Sequence, residues 1–198
     1  MESPRLDINK ISSKRRWKIL KYAFCISNIL GLSNINIWKN VKISKYAVIR
    51  GNVSIGNWSF IDSRAVIENS TIWENCNIWC EVKNSTIWNN VNSKHPNTNI
   101  LNATIQDNCN IGAWVVFANY DWDKKWEFKV EEWSFIWSNC TIILKSEKGK
   151  VRYIAKDSYI PAWTKLKKDV LSEWSLVLQD KHWYIYELQE WAYKYIRK

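Results

Sequence analysis

The sequence predicts an all-β fold, a three-sided parallel β-helix, on three observations. Aliphatic residues recur at a six-residue spacing at Ile37, Ile43, Ile49, Ile55, Ile61 and Ile67; after short slips the series resumes at Ile72 and Ile78, at Ile105, Ile111 and Phe117, and at Ile136 and Ile142. The residue after the repeat's aliphatic is Gly56 or Gly112 in some units and Trp38, Trp73, Trp79, Trp88 or Trp137 in others. Each unit is a short strand and a turn that cannot bury its apolar face alone, so successive coils have to stack around one interior. A six-residue unit repeated three times per coil makes that stack three-sided.

The exchange of glycine with tryptophan is physically odd. Glycine enters left-handed turns freely, whereas a bulky aromatic there is strained. Glycine ordinarily makes up roughly 7% of a chain, about 14 residues at this length. The chain has five glycines and fifteen tryptophans, and the two counts together, twenty, suit a turn-rich solenoid. Some genetic codes read UGA as glycine where others read tryptophan, so the expectation is that most of these tryptophans stand at glycine codons. The alternative is a genuinely tryptophan-rich surface for stacking bases or sugars.

With 198 residues the chain fits one domain with a sizeable core. Residues 1–36 lack the repeat. Lys14, Arg15, Arg16 and Lys18 precede a mixed apolar run, Ile19 to Leu32, that Lys21 interrupts and no small-residue cleavage site follows. The reading is a short helical lead-in, neither signal peptide nor membrane span. The solenoid is expected over residues 37–170, with loops near Asn92 to Asn99, Asp121 to Glu132 and Glu147 to Arg152. Ile142, Ile154, Ile160 and Leu166 keep the register across the last break. Residues 171–198, aromatic and charged from Trp174 through Tyr195, read as a C-terminal cap or oligomer contact.

A net charge of +10 fits nucleic acid, an anionic membrane or a phosphate-bearing ligand equally. Much of the excess is lysine among abundant asparagine and isoleucine, as AT-rich coding produces, and no nucleic-acid or membrane partner is expected. Five cysteines, an odd count without a disulfide framework's spacing, argue for a reducing cytoplasm. Cys76, Cys109 and Cys140 each fall four places after a repeat aliphatic, where a small inward side chain belongs. Cys76, Cys80 and His95 match no standard zinc spacing, and no metal is expected.

One stretch carries a specific signature. It reads Asn110-Ile-Gly-Ala-Trp-Val-Val-Phe-Ala-Asn-Tyr-Asp-Trp-Asp-Lys-Lys125. With glycine at Trp114 and Trp122 it resembles the N-I-G-A-G-x-x-x-x-N-Y-D-G-x-x-K pattern of the acetyltransferase domain of bifunctional N-acetylglucosamine-1-phosphate uridyltransferase/glucosamine-1-phosphate N-acetyltransferase. The resemblance extends over roughly Ile72 to Leu178 and implies a left-handed β-helix of the hexapeptide-repeat acyltransferases.

That resemblance implies roles for individual residues. Asn110 and Lys125 become contacts to the sugar substrate, and Lys83, in Glu-Val-Lys-Asn-Ser-Thr-Ile-Trp, matches the substrate-holding lysine of a K-x-x-x-[LI]-G motif. His95 follows twelve residues later, the family's interval from that lysine to its catalytic histidine. Ala113, Asn119, Tyr120, Ser138 and Ala162 become contacts for acetyl-coenzyme A, the implied co-substrate. The residue types suit the chemistry. An amine attacking a thioester must lose a proton, which a histidine accepts, and lysines meet phosphate as point charges.

The pattern also departs from the family. Thr98 or Asn99 falls where a tyrosine is expected, and one extra residue precedes Ile105. An upstream arginine falls near Ile67, with Arg64 an imperfect stand-in, and a C-terminal arginine falls at Asp180, beside Lys181. No glycine-rich nucleotide loop precedes Ile37, so the uridyltransferase half is expected to be absent. The resemblance therefore implies a cytoplasmic, homotrimeric N-acetyltransferase acting on an amino-sugar phosphate or UDP-sugar, glucosamine 1-phosphate first, in UDP-N-acetylglucosamine and cell-envelope precursor synthesis. A separate nucleotidyltransferase chain is a candidate partner. The alternatives are a hexapeptide acyltransferase for another sugar and a non-catalytic trimerising subunit; a basic nucleic-acid binder is a third.

Overall fold

The computed structural model describes residues 34–120, 122–143, 151–167, 169–177 and, for the backbone, 186–187. The expected helical lead-in lies outside these residues except at its last three, as does most of the expected C-terminal cap.

The described chain winds into a parallel β-helix with three faces. The first face runs Ile35–Ile37, Val53–Ile55, Thr71–Ile72, Thr86–Ile87, Ala103–Ile105, Glu127–Val130 and Val151–Ile154. The second starts at Lys42–Ile43 and rises through Phe60–Ile61, Asn77–Ile78, Asn92–Ser93, Asn110–Ile111, Phe135–Ile136 and Tyr159–Ile160 to Ser175–Leu176. The third comprises Val48–Arg50, Val66–Glu68, Glu81–Lys83, Asn99–Leu101, Val116–Ala118, Thr141–Ile143 and Lys165–Leu166. Parallel pairing joins all neighbours but one: Ser175–Leu176 meets Tyr186–Glu187 antiparallel. The ladder thus starts at Ile35 and reaches Leu176, beyond Val170.

The hexad aliphatics fill the interior. Ile49, Ile55, Ile61, Ile67, Ile72, Ile78, Ile105, Ile111, Ile136, Ile142, Ile154 and Ile160 are buried, with Phe117 edge-on to Phe128 among them. Trp38, Trp73, Trp88 and Trp137 stand exposed at corners instead. Strands of two to four residues suffice because each side chain in an inward slot packs on its equivalents one coil above and below, about 4.8 Å away.

The small inward slot four places after a hexad aliphatic is shared by serine and cysteine for one physical reason. Ser59 donates its hydroxyl to Trp73 O at 2.8 Å, and Cys76, one coil on, donates its thiol to Trp88 O at 2.8 Å. Cys109 and Cys140 do the same toward Glu131 O and Pro161 O, each at 3.0 Å. These cysteines are core, as expected. Burial pushes the thiols of Cys76 and Cys80 up to about 12 and that of Cys140 to about 11. They should stay unalkylated by iodoacetamide at pH 8 in the folded chain and react on denaturation, with peptide mass spectrometry as readout. Between pH 9 and 12 the unfolded chain releases protons that the folded chain still holds, so stability falls as pH rises through that window.

Two expectations need correction. The stretch Asn92 to Asn99 is no loop: it holds Asn92–Ser93, one corner and the start of Asn99–Leu101, and Ile100 is fully buried. The second break ends early, since Glu127–Val130 is already a strand of the first face and its Phe128 and Val130 are buried. The slips in the hexad series are changes in coil length. Neighbouring coils are offset by 18 residues from Lys39 to Asn57, by 17 from Asn57 to Glu74 and by 15 from Glu74 to Asn89. Much of the shortening falls at Trp79 and Cys80, which alone bridge Asn77–Ile78 to Glu81–Lys83.

The glycine requirement has two separate causes, at two positions of the corner. The slot directly after the aliphatic has no left-handed backbone. At Gly56 and Gly112 it is tight, and an added Cβ would come within 2.7 Å of backbone in the next coil, Trp73 C and Ser138 N respectively. Left-handed backbone falls two residues further on. Asn40, Asn75, Asn90, Asn108, Asn139 and Asp157 occupy that position in their coils, and Trp58, Trp114, Trp133 and Trp163 occupy it in others, at φ 60–66°. Trp122 and Trp174 add φ 77° and 59°. Asparagine and aspartate tolerate this conformation; a tryptophan there is a genuine outlier.

Candidate active site

The corner between the second and third faces gathers four of the residues singled out in the sequence. Asn92 pairs with Asn110, Ile111 with Ile136, and Ile136 with Ile160. This register stacks the corners holding His95, Ala113, Ser138 and Ala162 on successive coils. Backbone bonds tie the row together, Asn139 N to Ala113 O at 2.8 Å and Trp163 N to Ser138 O at 3.1 Å. His95 and Ala162 are exposed; Ala113 and Ser138 are half-buried.

His95 lies in a corner lengthened by the extra residue before Ile105. The corner His95-Pro96-Asn97 is one residue longer than its neighbour above, because Asn92 pairs with Asn110 while Asn99 pairs with Val116. Asn97 takes the left-handed backbone, at φ 62°. The chain then turns inward at Thr98, which is fully buried and donates Oγ1 to Gly112 O at 2.7 Å. Thr98 is therefore a coil-to-coil staple and is not available to a ligand. Asn99, outward on the third face beside Glu81, is the side chain that faces solvent there.

The other predicted residues lie apart. Lys83 ends the strand Glu81–Lys83, at the corner between the third and first faces. Asn119, Tyr120 and Lys125 sit at the same corner higher up, in an excursion closed by Trp126 N to Asn119 O at 2.7 Å and by a Tyr120–Lys125 bridge. Tyr120 donates its hydroxyl to Trp122 O at 2.7 Å, and Trp122 is 92% exposed. Five residues separate Ala113 from Asn119, and three of them, Val116–Ala118, are the third-face strand, about 10 Å of extended chain. The predicted residues thus form two rows along opposite edges of the third face, with Asn110 outward on the second face. Asn110 Oδ1 and Asn92 Oδ1, on register partners, are both buried without a hydrogen-bond partner.

Lys83 is not a bare cation. Its Nζ lies 3.1 Å from Glu68 Oε2, and Arg50 reaches the same oxygen through Nε at 2.7 Å and Nη2 at 2.5 Å. Partial burial pulls the Glu68 carboxyl upward, but Arg50 and Lys83 outweigh it and hold Glu68 below its usual range. Arg50 and Glu68 escaped the reading of the sequence. Their signal is positional: each follows the inward aliphatic of the third face, as Lys83 follows Val82. Among the described residues no three His, Cys, Asp or Glu side chains group as a metal site, and no helix is long and apolar enough to cross a membrane.

Known proteins resemble the chain over rather less than two thirds of its length. The chain is 37% identical over 122 residues to the bifunctional protein GlmU of Aquifex aeolicus, and 34% over 129 residues to that of Caldicellulosiruptor saccharolyticus. These matches take in 62% and 65% of this chain but 24% of each relative, so the chain spans about a quarter of the curated relatives it matches. No protein-family model matches. Among solved structures, the UDP-N-acetylglucosamine acyltransferase of Francisella novicida aligns over 76% of this chain and 65% of its own, with 16% identity and a TM-score of 0.40.

Proposed function

We propose that this chain is an acyltransferase of the hexapeptide-repeat type, an acetyl-coenzyme A-dependent N-acetyltransferase whose first candidate acceptor is glucosamine 1-phosphate. The observation that carries the reading is the single row of His95, Ala113, Ser138 and Ala162 along one corner of the helix, supported by the similarity to GlmU. A long, flexible thioester co-substrate would lie along that row. His95 accepts a proton as the acceptor's amine attacks the acetyl carbonyl. The backbone N–H at Ala113 steadies the oxyanion, the C–S bond breaks, and the coenzyme thiolate leaves with a proton from His95.

A second copy completes the site in this reading. Lys83, Asn119, Tyr120 and Lys125 line the opposite edge of the third face, so a neighbour's edge has to supply them to the His95 row, as a homotrimer would. The buried, staple-like Thr98 favours one alternative, a trimerising subunit without turnover. Release of coenzyme A thiol with glucosamine 1-phosphate separates the two. No release with any amino sugar establishes the second.

We further propose that the native polypeptide carries glycine at most tryptophan positions, including Trp38, Trp73, Trp79, Trp88, Trp114, Trp122, Trp137 and Trp163. For Trp114, Trp122 and Trp163 the support is left-handed φ, shared with Trp58, Trp133 and Trp174 and otherwise held chiefly by asparagine; Trp38, Trp73, Trp79, Trp88 and Trp137 instead share the slot in which Gly56 and Gly112 closely approach the next coil. Peptide masses from the native cell test this directly. Tryptophan masses, or UGG codons throughout, overturn it.

A further inference from the structure

The ion cluster on the third face has a geometry that a surface salt bridge does not require. Arg50, Glu68 and Lys83 are register partners on three successive coils, all pointing outward. Three N–H groups from two cations converge on one oxygen, Glu68 Oε2, all within 3.1 Å. Exposed pairs contribute little to stability and leave long side chains free to wander. Here the cation heads, rooted two coils apart, are held at a common point while side-chain exposures of 49% for Arg50 and 32% for Lys83 keep them open to solvent. An arginine fork and an ammonium aimed at one oxygen form an arrangement that suits phosphate. The next register position above Lys83 is Leu101, so Glu68 is the carboxylate in this row.

We propose that Arg50 and Lys83 together form the acceptor's phosphate subsite, and that Glu68 occupies that subsite as a built-in competing anion. This rests on the reading of Lys83 as an acceptor contact. A phosphate monoester carries enough charge to displace the carboxylate. An uncharged sugar offers nothing to exchange for Glu68, and the cluster stays closed. Glu68 therefore sets which acceptors engage the site, weakening phosphate binding overall while making it depend on the ligand's charge.

The test measures binding of inorganic phosphate, glucosamine 1-phosphate and uncharged N-acetylglucosamine to the full chain by calorimetry, with thermal melts confirming that each variant folds. Glu68→Gln should bind both phosphates about tenfold more tightly and leave N-acetylglucosamine unchanged, as loss of one nearby like charge requires. Arg50→Gln, introduced alongside Glu68→Gln, should reverse most of that gain. Unchanged or weaker phosphate binding in Glu68→Gln overturns the proposal if Lys83→Ala still weakens it, and the reading of Lys83 survives. Persistence of the gain without Arg50 removes Arg50 from the subsite and overturns it equally. If Lys83→Ala leaves phosphate affinity unchanged, the acceptor reading of Lys83 falls and the proposal with it.

Discussion

Replacing His95 with alanine is expected to lower acetyl transfer to glucosamine 1-phosphate by roughly 10²- to 10⁴-fold, the usual contribution of a positioned proton acceptor. Binding of acetyl-coenzyme A should hardly change, because His95 sits in the exposed bulge of its corner and holds up no part of the core. The measurement belongs on the chain with glycine at the tryptophan positions. A literal Trp114, 57% exposed beside Ala113, and Trp163, 73% exposed beside Ala162, crowd the row along which the co-substrate would lie. A rate that survives His95→Ala, with coenzyme binding intact, would remove histidine from the chemistry.

Restoring glycine at Trp58, Trp114 and Trp163 is expected to stabilise the β-helix by about 3 kcal/mol in all. Each left-handed L-residue costs roughly 1–2 kcal/mol, from which the greater freedom of unfolded glycine subtracts up to about 1. These rings are 57–73% exposed, so little packing is lost with them. At about 2–4 °C per kcal/mol for a domain approaching this size, the triple variant should melt some 6–12 °C higher. Trp73→Gly is the matched control. Its backbone is not left-handed and its ring stacks on Trp88 at 5.5 Å, so that substitution should lower the melting point. Equal gains at both kinds of site would mean that tryptophan is disfavoured everywhere for some reason other than φ.

What the sequence determined is what depends on single residues and short spacings. Six-residue aliphatic recurrence names the inward positions, because in extended chain alternate side chains face the same side and each corner resets the count. Ile111, Ile136 and Cys76 were legible as core on that basis. The Asn110 to Lys125 signature was legible because it is continuous in the chain. What only the tertiary structure decided is which residues become neighbours across coils. Coil offsets of 15, 17 and 18 residues do not announce themselves in a linear reading, yet they put Arg50, Glu68 and Lys83 on one oxygen. The same packing turned a supposed loop at Asn92 to Asn99 into part of a coil whose corner, one residue longer than its neighbour, holds His95. It also split the glycine requirement between two causes, because φ is set by where the chain must turn and close approach by what lies in the next coil.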